Sequence, residues 1–102
     1  MSAQLAVVED LLPALKHLRR TIDKRGKALG KVVKTGRTHL MDAMPLTFAQ
    51  EFGAWSSQLA SAEARLDDTL KRLRRLPIGG TAIGTALNAH PGYRRKVIEQ
   101  LR

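Results

Sequence analysis

A long run of regularly spaced apolar residues between positions 47 and 75 constrains the fold most strongly. These side chains recur at steps of three or four residues: Phe48, Phe52, Trp55, Leu59, Ala62, Leu66, Leu70 and Leu73. Such spacing predicts an amphipathic α-helix. Thr47 followed by Gln50 forms the pattern of a capping box, which starts a helix at that point. We therefore predict a long helix over about 47–75, a rod of roughly 40 Å.

Small residues form a second face of this predicted helix. They are Ala49, Gly53, Ser56, Ser57, Ala60, Ser61 and Ala64. Because small side chains let a neighbouring helix approach closely, a rod with both faces needs neighbours on both sides. The one other long helix of this chain can cover only one of these two faces. The predicted fold class is all-α, with long antiparallel helices of a helical bundle and an irregular loop or short hairpin between them.

The partner helix is predicted over about 3–29. Its apolar stripe has helical spacing and consists of Leu5, Val8, Leu12, Leu15 and Ile22. Pro13 inside this pattern is expected to kink the helix or to mark its true first turn. Gly26 and Gly30 weaken the far end, so we expect the helix to stop there.

Residues 31–46 interrupt the helical pattern and are predicted to form a loop or short irregular hairpin. Val32 and Val33 favour extended backbone, Gly36 permits a turn, and Pro45 restricts the residue before it. Loops held by rigid helices are common places for chemistry, so this segment is the first place to look for a site.

The last quarter of the chain reads as a glycine-rich turn over 76–90 followed by the start of a helix over 91–102. Pro77 is expected to end the long helix, and Pro91 to lie near the first position of the next one. The chain stops as that helix begins. We therefore expect residues 1–102 to be a partial central helical domain of a larger protein.

The composition excludes several classes of protein. The chain has no cysteine, which excludes disulfides, thiolate catalysis and cysteine-based zinc sites. Its longest apolar runs are far shorter than the roughly 20 residues that span a bilayer. The first residues lack the basic region of a signal peptide and carry Glu9 and Asp10. We expect a soluble, cytoplasmic protein that does not bind membranes.

The formal net charge of +9 leaves two interpretations open. Eighteen Lys and Arg residues against nine Asp and Glu would attract nucleic acid, acidic lipid or small carboxylates. The alternative is a set of solvated helix faces in a piece of a larger protein. No base-reading motif accompanies the charge, and this argues against nucleic acid as the partner.

Thr38 and His39, side by side in the predicted loop, are the candidate site residues. A loop histidine is usually a polar surface residue. The functional alternative is an acid–base or anion-contacting group, with the threonine hydroxyl as a neighbouring hydrogen-bond donor. For His17 and His90 the structural interpretation is favoured. The histidines show no metal-ligand spacing, so no metal is expected.

The glycine-rich stretch GGTAIGT invites comparison with a phosphate-binding loop. Backbone amides in glycine turns do bind anions. No strand is predicted before it and no GK[ST] follows it, however, so a turn between helices is the favoured interpretation.

Two long motifs carry a resemblance to a known family. GRTHLMDAMPLTFAQEF, at residues 36–52, closely resembles the GRTHLxDAxPxTxGQE segment of class II fumarate hydratases of the fumarase/aspartase superfamily. LPIGGTAIGTALNAHP, at 76–91, resembles the LxxGGTAVGTGLNxHP segment that follows, and LLPALKHLRR, at 11–20, resembles the helix before the first motif. Nearly the whole chain is covered in the family's order. Ala49 and Ala86 stand where the family usually has glycine.

The resemblance implies an all-helical lyase that assembles as a homotetramer around a many-helix core. Each active site is then built from segments of three subunits. The implied reaction, a step of the tricarboxylic acid cycle, is the reversible hydration of fumarate to L-malate without metal or cofactor. In the family, the threonine and histidine of GRTHL face the substrate. Thr38 would donate a hydrogen bond to a substrate carboxylate, and His39 would be catalytic and contact the substrate or its water.

Two further site segments of the family are missing from this chain: an SSNDxxPT-like segment and the GSSxMPxKxNP loop with the catalytic serine. We therefore expect the 102-residue piece alone to be inactive. Aspartate ammonia-lyases are the nearest alternative, because they share much of the first motif. Many of them carry glutamine where His39 stands, however, and this favours the fumarate hydratases. A basic helical module for nucleic acid and a self-assembling structural element are the alternatives from other classes.

Overall fold

The protein consists mainly of helical segments on either side of a β-hairpin. The structure is a computed structural model, and it describes residues 2–101. Arg102, the last residue of the final predicted helix, lies outside this range, as does Met1. In chain order the elements are α1 (Ser2–Leu5), a π-helical stretch (Ala6–Leu11), α2 (Leu12–Ala28), β1 (Val33–Thr38), β2 (Met41–Thr47), α3 (Phe48–Leu73) and α4 (Tyr93–Gln100).

Pro13 explains the π-helical stretch that precedes α2. Proline has no N–H to donate, and its ring crowds the carbonyl four residues earlier. The chain widens before the proline: the N–H of Leu12 donates to the carbonyl of Val7, five residues back. Pro13 itself lies in the first turn of α2, where a missing N–H costs little.

The predicted all-α class is wrong, because residues 33–47 contain an antiparallel β-hairpin. Val33 pairs with Thr47 at its base and Thr38 with Met41 at its tip. β-Branched residues in β1 favour extended backbone. Pro45 is tolerated because each strand of this two-stranded sheet is an edge strand.

Helices α2 and α3 pack against each other in antiparallel orientation. At one end the buried Gly26 of α2 faces Phe52 of α3, and a Cβ built on this glycine would lie 3.3 Å from the Phe52 Cβ. Further along, the Arg19 Nε donates to the Glu63 Oε1 at 2.8 Å. This ion pair joins the two helices and leaves the Glu63 carboxylate paired although the residue is buried.

The α3 N-terminus has the predicted capping box, which is confirmed. The Gln50 N–H donates to the Thr47 Oγ1 at 3.2 Å, and the Thr47 N–H donates to the Gln50 Oε1 at 2.8 Å. At its other end α3 stops at Leu73, before Pro77. The helix therefore runs for 26 residues, roughly 40 Å.

The chain is extended rather than rounded. Its radius of gyration is 22.8 Å, against roughly 13 Å for a compact domain of about 100 residues. Within residues 2–101 the buried apolar side chains are Leu12 and Leu70. Large apolar residues such as Trp55, 45% exposed, remain in contact with solvent. Such a chain does not enclose a core of its own.

Residues 74–92 form an irregular segment that connects α3 with α4. Gly79, Gly84 and Gly92 have φ between 86° and 88°, a left-handed conformation that glycine adopts without strain. Gly92 is the N-cap of α4, so the helix begins at Tyr93, two residues after Pro91.

Gly36 is required by a close approach of the two strands. The pairing is irregular between Thr35 and Arg37, and a Cβ built on Gly36 would lie 2.6 Å from the Met44 carbonyl oxygen. Gly36→Ala is expected to lower the free energy of unfolding by about 1–3 kcal/mol, the usual cost of overpacking. Urea denaturation of a full-length protein that contains residues 1–102 measures this change.

Thr35→Ala is the control, because Thr35 is the exposed residue of β1 next to Gly36. It should lower the free energy of unfolding by less than about 1 kcal/mol, the usual span of strand preferences. Equal effects of the two substitutions would contradict the role given to Gly36.

Candidate functional site

The tip of the β-hairpin presents both sequence-predicted site residues to solvent. Thr38 is the last residue of β1, and His39 is the first residue of the two-residue turn that leads to Met41. His39 and Leu40 have φ of 51° and 61°. Two positive φ values in succession are typical of a type I′ hairpin turn. Thr38 and His39 are both exposed, and Leu40 is fully exposed.

The backbone conformation of this turn is energetically unfavourable. Left-handed φ is uncommon for residues other than glycine, although histidine, asparagine and aspartate adopt it more often than most. Leucine at φ 61° is less favourable still. Strained backbone that presents polar side chains is frequent at functional sites.

Neither predicted side chain is engaged elsewhere in the described part of the chain. Within residues 2–101, neither the Thr38 hydroxyl nor the His39 imidazole has a hydrogen-bond partner. Both groups are therefore free to contact a ligand. Arg37, the residue before them, donates from its Nε to the Asp42 Oδ1 across the hairpin at 3.0 Å, and both of these side chains are exposed.

The base of the hairpin is linked to α3 by a contact that sequence reasoning missed. The Lys34 Nζ of β1 donates to both carboxylate oxygens of Glu51, at 2.8 and 2.9 Å. The two residues are 17 positions apart and lie in different kinds of element, so no local spacing rule could find the pair. Opposite charge on a strand and on the following helix was the only signal.

The second motif forms a groove at the other end of the molecule. An open groove of about 600 Å³ lies between residues 76 and 94, and its lining includes Thr81, His90, Tyr93 and Arg94. The hairpin precedes α3 and this segment follows it, so the length of α3, roughly 40 Å, separates the two motifs in one copy. A single copy does not bring them together.

Neither His17 nor a metal site adds a second candidate in the described residues. His17 is exposed on α2, where its carbonyl accepts a hydrogen bond from the Thr21 hydroxyl at 3.0 Å. In the described range, no group of three or more His, Asp or Glu side chains is placed to hold a metal ion. Nor does any helix there combine the length and apolarity needed to cross a bilayer.

Several of the Lys and Arg side chains are paired with carboxylates. Arg72 bonds Asp68 at 2.7 Å on α3, and Arg19 bonds Glu63 between α2 and α3. These contacts give part of the positive charge a role within the fold.

Comparison with known proteins identifies the class. A protein-family model described as lyase matches residues 1–102, the whole chain. The chain therefore belongs to this lyase family.

Individual relatives are more specific. The chain is 70% identical over 101 residues to a class II fumarate hydratase of Xylella fastidiosa, a match that covers 99% of this chain and 21% of the relative. It is 48% identical over 101 residues to a class II fumarate hydratase of Neisseria meningitidis, with 99% of this chain and 22% of the relative covered. The chain thus spans about a fifth of the length of the curated relatives it matches.

Solved structures give the same result. A class II fumarase from Schistosoma mansoni superposes with a TM-score of 0.86 at 33% identity, over 96% of this chain and 21% of that one. A fumarate lyase:delta crystallin from Brucella melitensis bound to cobalt gives 0.85 at 35% identity, over 97% and 22%. The resemblance to class II fumarate hydratases that the two motifs indicated is confirmed, and these relatives favour it over the alternatives.

Proposed function

We propose that this chain is the segment of a fumarate hydratase that contributes Thr38 and His39 to the active site. The full-length enzyme would hydrate fumarate reversibly to L-malate in the tricarboxylic acid cycle, as a cytoplasmic homotetramer. One observation carries the proposal: a chain 70% identical to a class II fumarate hydratase exposes these two neighbouring polar side chains at the tip of a hairpin.

The chemistry of the reaction suits these two groups. Dehydration of malate removes a proton from the carbon next to a carboxylate and expels the hydroxyl on the opposite face. An aci-carboxylate, which carries more negative charge than the substrate, lies between the two steps. A hydroxyl donor at Thr38 would stabilise that charge where it develops. An imidazole at His39 would contact the substrate or its water and help to move a proton near neutral pH.

Neighbouring copies are part of the proposal. The hairpin tip is exposed and offers no enclosed cavity of its own, while the extended helices leave apolar side chains in solvent. Burial of such faces is the main driving force for association. Assembly into a tetramer would cover them and would close other copies around Thr38 and His39.

A chimera tests the proposal directly. Residues 1–102 replace the matching segment of the Xylella fastidiosa enzyme, and fumarate hydration is followed by the loss of fumarate absorbance. The chimera is expected to be active. Thr38→Val keeps the shape of a β-branched residue but removes the hydroxyl, so kcat/KM should fall about 10- to 100-fold, as expected for a hydrogen bond to a charged group.

Thr35→Val is the matched control, because Thr35 lies on the same strand, opposite Pro45 and towards the base of the hairpin. It should leave kcat/KM within about twofold of the chimera, as expected for surface substitutions. Equal kinetics for Thr38→Val and the unmodified chimera would refute the substrate contact, and an inactive but assembled chimera would refute the proposed function.

A further inference from the structure

A single ammonium group connects the hairpin with the long helix. The Lys34 Nζ lies 2.8 Å from the Glu51 Oε1 and 2.9 Å from its Oε2. It also lies 5.6 Å from the centroid of the Phe48 ring, within the range of a cation–π interaction. Phe48 and Glu51 both belong to the first turn of α3, so Lys34 holds β1 against the start of that helix.

Burial distinguishes this ion pair from most others in the described residues. The side chains of Lys34 and Glu51 are 30% and 26% exposed, whereas those of Arg37 and Asp42 are 69% and 72% exposed. Exposed pairs contribute little because solvent and salt screen them. The Lys34–Glu51 pair is screened less, and its ammonium donates to both oxygens of one carboxylate, which makes these hydrogen bonds charge-assisted.

Further links between the hairpin and α3 lie at the junction itself. The Phe48 N–H donates to the Val32 carbonyl at 3.1 Å, and Thr47 caps the helix. These bonds fix where the hairpin joins α3. The Lys34–Glu51 pair adds a side-chain contact one residue further along β1, still near the base of the hairpin, and so constrains the angle between strand and helix.

That angle sets the position of the hairpin tip. Thr38 and His39 follow Lys34 by four and five residues, about 15 Å along an extended strand. A rotation of roughly 10° at Lys34 would displace them by about 2.5 Å over that length. A misplacement of about 1 Å can cost two orders of magnitude in rate.

We propose that Lys34 and Glu51 form a positioning pair that fixes the angle of the hairpin to α3 and thereby places Thr38 and His39 against the substrate. This inference rests on the proposed function. Neither residue touches the substrate; both act through the hairpin.

The test uses the chimera and two readouts. Hydrogen exchange of peptides covering residues 33–47, measured by mass spectrometry, reports how firmly the hairpin is held and requires no activity. Steady-state kinetics report kcat and KM for fumarate. Lys34→Met and Glu51→Gln each remove one charge of the pair. Each should speed exchange of the hairpin about fivefold and lower kcat at least tenfold, with a smaller change in KM.

Rescue and control variants complete the design. Lys34→Arg keeps the positive charge and can donate to both Glu51 carboxylate oxygens, although its planar guanidinium has a different shape from the ammonium. It should therefore lie much nearer to the unmodified chimera than Lys34→Met does, both in hairpin exchange and in kcat. Asp68→Asn removes the exposed carboxylate that pairs with Arg72 on α3 and should change neither readout.

Unchanged hairpin exchange in both Lys34→Met and Glu51→Gln would overturn the proposal. So would faster exchange with kcat and KM both unchanged, because the pair would then be structural only. Failure of the proposed function is seen separately: full turnover in a His39→Asn chimera would refute it, whereas the exchange readout would still report on the pair.

Discussion

His39→Asn in the chimera is expected to lower kcat by about 10²- to 10⁴-fold, the usual contribution of a positioned acid–base group. Asparagine is the appropriate replacement because it adopts left-handed φ readily, so the turn at φ 51° is not disturbed. The substitution removes the imidazole and preserves the hairpin. Stopped assays over a range of fumarate concentrations would give kcat and KM, and sedimentation would verify that the oligomer is intact.

His17→Asn makes the same chemical change on the exposed surface of α2, away from the hairpin. It should leave kcat within about twofold of the unmodified chimera. A His39→Asn enzyme with the turnover of the His17→Asn enzyme would show that the imidazole has no chemical role.

The long helix could be predicted because its evidence is local. The apolar side chains recur at helical spacing from Phe48 to Leu73, and Thr47 with Gln50 forms a capping box that involves only four consecutive residues. Such signals do not depend on what packs against the helix. Pro13 was expected to kink the helix or to mark its true first turn, and it lies in the first turn of α2. The π-helical stretch before it was not predicted, since a proline can be accommodated in several ways.

The hairpin was underestimated because its turn lacks the usual residues. A type I′ turn normally carries Asn-Gly or a similar pair, whereas this one carries His39 and Leu40. Pro45 indicated only that the residue before it is not helical, which left a loop and a short irregular hairpin both open. Pairing between β1 and β2, together with the contacts at the base of the hairpin, outweighs these local preferences. The all-α class failed at this point.

The candidate site, too, could be predicted only in part. Thr38 and His39 could be proposed from the sequence, but mainly because the GRTHL motif resembles that of a known family. Residue types and spacing alone left His39 as one loop histidine among surface residues. Opposite charge alone did not single out the Lys34–Glu51 pair, because a contact between a strand and a helix depends on the angle at which the hairpin packs against α3.

The central claim is that the hairpin of one copy completes an active site whose remaining groups belong to other copies. Mixed oligomers test it most directly. One parent is the His39→Asn chimera, and the other is a chimera whose host-derived GSS loop has its serine replaced by alanine; each alone should be nearly inactive. Oligomers assembled from both should contain sites with an intact hairpin and an intact serine loop. We predict activity about a hundredfold or more above either parent. No recovery, despite mixed oligomers shown by mass spectrometry, would contradict the account.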